Sequence, residues 1–137
     1  VTKKISETLA AARATIADPK HWTQGAHARN AAGETVNLSD EDACCFCADG
    51  ALALAAGVRS MERSGIWIGD IVHYNAASDI LCEAAQRETG EYSFISVNDS
   101  SSLYPKEETH RRILTVMDRG IDIAKSREEL GMARVAP

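Results

Sequence analysis

Hydrophobic positions recur along this chain at helical and alternating spacings, and the spacings divide it into elements. From Lys3 to Ala17, Ile5, Leu9, Ala12 and Ile16 return at helical intervals, while Lys4, Glu7 and Arg13 take other faces. Pro19 disfavours helical geometry in the residue before it, so this helix is predicted to stop by Asp18. Next, "AHAR" and "ETVNL" flank "NAAG", whose Asn and Gly suit a short loop; a small β-hairpin is predicted over about 26–37. Ser39 followed by Asp40 and Glu41 has the form of a helix start. From Ala43 to Val58 the only charged residue is Asp49. A central helix, apolar on every side, is therefore predicted over about 40–56, closed by Gly57.

The second half is read the same way. "GIWIGDIV" is either a short strand or a buried loop. Helical spacing returns from about Tyr74 to Glu88 through Ala77, Leu81, Ala84 and Ala85. "YSFISVND" alternates and predicts a short strand over about 93–98. Pro105 can open a last helix whose apolar stripe is Ile113, Leu114, Met117, Ile121 and Ala124. The expected architecture is α+β and predominantly helical, with about four helices around the 40–56 helix and the hairpin and strand on one side. The 137 residues suit one domain, 1–137, with no internal repeat or linker.

Charge narrows the function classes. The net charge of −5 supplies no excess of cations to displace counterions from nucleic acid. The best basic cluster, Arg111, Arg112, Arg119, Lys125 and Arg127, is interspersed with acids and reads as a solvated helix face. No nucleic-acid partner is expected. No apolar run approaches a membrane span, and no basic segment followed by an apolar one opens the chain, so no membrane partner is expected either. Four cysteines, three of them in "CCFC", read as reduced thiols in a cytoplasm and not as a disulfide framework.

Three segments resemble a family of short bacterial and bacteriophage proteins catalogued only as a domain of unknown function. The first is "HWTQGAHARNAAGETV", with a Trp, a Gly and an "AR…G" turn. The second is "CADGAL", which resembles a C-x-x-G-A-L motif and maps onto Cys47, Gly50, Ala51 and Leu52. The third is "VNDSSS", where Val97 stands at a position that is often aromatic in the family. The resemblance implies a mainly helical fold with a small β part, in a bacterial or phage-infected cell. It supplies no activity.

The candidate chemistry is modest. Cys44 and Cys47 can face one way on a helix, with Cys82, His73 and His110 as further ligands, but no second cysteine knuckle exists and buried cysteine is an ordinary small hydrophobe. No metal is expected. A cysteine hydrolase would use Cys44 or Cys47 with His73, oriented by Asn98 or Asp99. No phosphate loop, dinucleotide fingerprint or metalloprotease motif is present, so no cofactor is expected. Asp49 either lies on the one wet edge of its helix or, if buried, needs a partner such as His27, Arg29 or Arg59. Two readings of the family-like segments stay open. Either Trp22, His27, Arg29, Asp49, Asn98 and Asp99 border one ligand cleft, or they lock the hairpin and strand end onto the helices. The reading that follows is a non-enzymatic binding or accessory protein for a small polar ligand or a protein partner. The alternatives are the cysteine hydrolase and a structural homo-oligomer.

Overall fold

A computed structural model describes residues 3–60, 66–100 and 102–131. Among them are five helices: α1 (Ile5–Ile16), α2 (Ala48–Ala55), α3 (Ile71–Thr89), α4 (Phe94–Asn98) and α5 (Lys106–Glu129). Two small antiparallel sheets accompany them, β1 (Ala28–Arg29) with β2 (Cys45–Phe46), and β3 (Val58–Ser60) with β4 (Trp67–Gly69). The fold is α+β and mostly helical, as expected. No helix among the described residues is long and apolar enough to cross a membrane.

Helix α1 packs against α2 and α5, and α3 packs on α5. Their shared core holds Leu9, Ile16, Leu52, Leu81, Phe94, Ile113 and Met117. Gly120 lets α3 and α5 close up, because a Cβ there would stand 2.7 Å from Leu81 Cδ2. A second, smaller cluster of Ala28, Leu38, Ala53 and Val58 joins β1 and β3 to α2.

The helix expected over 40–56 is confined to Ala48–Ala55. Asp40 instead folds its carboxylate back onto the Asp42 amide at 2.8 Å, making a turn. The Cys44 and Cys47 amides then donate to the carbonyls of Arg29 and His27, at 2.9 and 3.3 Å, which builds β2 against β1. An apolar run carries no period, and the backbone partner available to it decided its state. Part of the hairpin over 26–37 is present. The Asn30–Gly33 turn closes with a bridge from Arg29 to Thr35, but the ladder partner of β1 is β2.

The strand expected over 93–98 is the short helix α4. Ser93 Oγ accepts from the Ile95 amide at 3.1 Å and caps it. Its buried residues, Phe94, Val97 and Asn98, follow helical spacing and not alternation. Of "GIWIGDIV", the first Gly lies outside the described residues, and the rest holds strand β4 followed by the start of α3, which begins three residues before Tyr74.

Candidate functional site

Parts of all three family-like segments meet at the start of α2. Cys47 is its N-cap, with Sγ accepting from the Gly50 amide at 3.3 Å. Gly50 is required by close approach: a Cβ there would lie 2.2 Å from the His27 carbonyl oxygen. The backbone of residues 27–29 is thereby pressed onto the helix start. Ala51 and Leu52 face the core.

The Asn98 side chain joins this helix start to the loop before β1. Its Oδ1 accepts from Trp22 Nε1 at 2.8 Å and from the Ala48 amide at 3.0 Å. Its Nδ2 donates to the Thr23 carbonyl at 3.2 Å and to Asp99 Oδ1 at 2.8 Å. Gln24 Nε2 donates to the Asn98 carbonyl, and Asp99 Oδ1 also accepts from the Gly25 amide. Asn98 is 1% exposed, and the four bonding positions of its amide are all used. Arg29 is similarly occupied, bonding Thr23 Oγ1, the Gln24 and Gly33 carbonyls and Thr35 Oγ1 at 3.0–3.3 Å. Trp22 turns its ring the other way, tilted on His110 at 4.9 Å. There it floors a separate cleft of about 430 Å³ with Lys20, Lys106, His110 and Arg111.

One residue further along α2, at Asp49, the arrangement changes. Asp49, with a side chain 7% exposed, accepts from His27 Nε2 at 3.1 Å and from the Tyr74 hydroxyl. Trp67 packs edge-on against both partners, with ring centroids 5.0 Å from His27 and 5.1 Å from Tyr74. The hydrogen bond to Asp49 raises the His27 pKa above its ordinary value; burial opposes this, and the charges of Asp49 and Asp99 add to it. Burial first, then Asp49, push the Tyr74 phenol upward, so it stays protonated and donates. About half of the His27 side chain remains exposed. Asp49, on α2, orients a half-exposed imidazole that stands just before β1.

The cysteines and His73 do not assemble. Burial pushes the Cys47 thiol up to about 11. His73 Nε2 is bonded to Thr8 Oγ1 at 2.7 Å, on the α1 side of its helix. Among the described residues no three His, Cys, Asp or Glu side chains converge on a point that could hold a metal ion.

Of the six residues expected to share one place, Trp22, Asn98, Asp99 and Arg29 form an interlocked polar seam. His27 and Asp49 form a second group beside it, one residue along α2 from Ala48. Tyr74 and Trp67 complete that second group. Tyr74 carried no sequence signal; the lone charge of Asp49 in an apolar run was the one pointer to such a partner.

These features define a small helical α+β protein organised around the capped start of one short helix. The chain belongs to a family of unknown function, DUF6197, which it matches over residues 1–123. No curated protein and no solved structure matches it.

Proposed function

We propose that this is a non-enzymatic binding protein that takes a small polar ligand at the exposed edge of His27. The observation that carries this reading is the buried Asp49 carboxylate holding a half-exposed imidazole. With Nε2 bound to Asp49, Nδ1 is the ring atom left to meet a ligand. The raised pKa shifts the balance toward the cationic ring, which suits an acidic or hydrogen-bonding ligand. The Trp22 cleft is the weaker choice. Its cations, Lys20, Lys106 and Arg111, are exposed, long and flexible, whereas His27 is pre-positioned.

The cysteine hydrolase is disfavoured by the capping role and raised pKa of Cys47 and by the engagement of His73 with Thr8. Native mass spectrometry of the chain purified from its host is the test, and it also reports the number of chains in the assembly. The expected result is a small-molecule mass on the wild-type chain that is lost in His27→Asn. A mass retained by His27→Asn, or none on the wild-type chain, sinks the reading.

A further inference from the structure

Cys44 and Cys45 are adjacent in sequence, partly exposed, and their sulfurs lie 3.5 Å apart. Side chains of successive strand residues ordinarily point to opposite faces. Here both thiols are gathered to one side. The Cys44 amide is held by the Arg29 carbonyl at 2.9 Å, Cys45 is in register with Arg29, and the Cys45 thiol donates to the Lys20 carbonyl at 3.2 Å. Neither sulfur belongs to the His27–Asp49 group or to the Asn98 seam.

A gap of 3.5 Å suits some chemistry and not other chemistry. A disulfide needs about 2.05 Å between sulfurs and Cα atoms usually more than about 4.4 Å apart, whereas neighbouring Cα atoms across a trans peptide stand about 3.8 Å apart. Oxidation would therefore have to distort strand β2. Bridging by a third atom needs no such movement. With bonds of about 2.3 Å from each sulfur, a 3.5 Å gap sets the angle at the bridging atom to roughly 100°. That angle suits a pyramidal trivalent centre. Two-coordinate copper(I) wants its sulfurs opposed across the metal, and a closed zinc site needs further ligands, which do not converge among the described residues.

We propose that Cys44 and Cys45 form a bidentate site for a trivalent thiophilic metalloid, such as an organoarsenic(III) compound. The step is a condensation without change of oxidation state. Two thiols meet one R–As(OH)₂, two As–O bonds break, two As–S bonds form, and the thiol protons leave in two waters.

The test is titration of the reduced full chain with phenylarsine oxide, read by intact mass and by mapping which cysteines resist alkylation. One adduct per chain is expected, protecting Cys44 and Cys45 and leaving Cys82 reactive. Cys44→Ser and Cys45→Ser should each weaken binding by about 100-fold or more, because chelation turns the second bond into an intramolecular one. Circular dichroism verifies that the variants fold. The mapping needs no variant, so a misfolded substitution leaves the test intact. Protection elsewhere, alkylation of both residues in the presence of the probe, or a folded single-serine variant that binds within about threefold of wild type overturns the proposal.

Discussion

Replacing Asn98 by alanine removes the group that ties three segments together, and the cost can be worked from its partners. Oδ1 is the acceptor for Trp22 Nε1 and for the Ala48 amide, and those two residues are 3% and 0% exposed. Each buried donor left without an acceptor costs about 1–3 kcal/mol. The Thr23 carbonyl also loses a donor, and the amide leaves a void in a site that was 1% exposed. The sum is roughly 3–6 kcal/mol, a large part of the ~5–15 kcal/mol that stabilises a typical domain. For a chain of this size that lowers Tm by on the order of 10–20 °C. Urea denaturation followed by circular dichroism measures it. Trp22→Phe, which removes the Nε1 donor and part of the ring but leaves Oδ1 bonded to Ala48, should cost less. The double variant should fall short of the sum, because the pair shares one bond. A loss below about 1 kcal/mol for Asn98→Ala, or strict additivity with Trp22→Phe, would refute the reasoning.

Three further outcomes are expected. Gly50→Ala should destabilise by about 2 kcal/mol or more despite the better helix propensity of alanine, because its Cβ would meet the His27 carbonyl at 2.2 Å; an unchanged Tm counts against the close approach. Cys47→Ser should hold stability within about 0.5 kcal/mol, since a hydroxyl is a good N-cap, while Cys47→Ala should lose about 1 kcal/mol; equal losses in thermal melts would mean that the cap contributes nothing. The His27 ring, followed by NMR, should titrate above its ordinary value and move down in Asp49→Asn. Because its folded pKa is raised, the stabilisation from the ionised pair is fully present below the unfolded pKa and fades as pH rises through the folded one. The gap in stability between wild type and Asp49→Asn should therefore narrow with rising pH, and a gap that widens contradicts the pairing.

Periodicity made the long elements legible. Helices α1, α3 and α5 each bury one face of an otherwise polar sequence, so spacing alone marks them, and Pro19, Gly90 and Pro105 mark their limits. Where that contrast is missing, the sequence is silent. Residues 43–58 are apolar throughout apart from Asp49, so nothing in their order says that Cys45 and Phe46 pair with β1 while Cys47 begins a helix. Residues 94–98 are too few for period 2 and period 3.6 to be told apart, and the Ser93 cap with the buried Phe94 and Val97 decided for a helix.

The candidate site divides along the same line. The sequence by itself required a partner for Asp49 only if that carboxylate is buried, because a buried unpaired carboxylate is costly, and its family-like segments pointed to Trp22, His27, Asn98 and Asp99. Only the tertiary structure could say which of these interlock and which meet solvent. Trp22, Asn98 and the Ala48 amide are remote in the chain and satisfy one another in the interior. His27 is brought to Asp49 by the space that Gly50 leaves and by β4 and α3, which supply Trp67 and Tyr74. Burial and hydrogen-bond saturation belong to the packed arrangement of segments and not to any one of them, so no reading of one segment alone contains them.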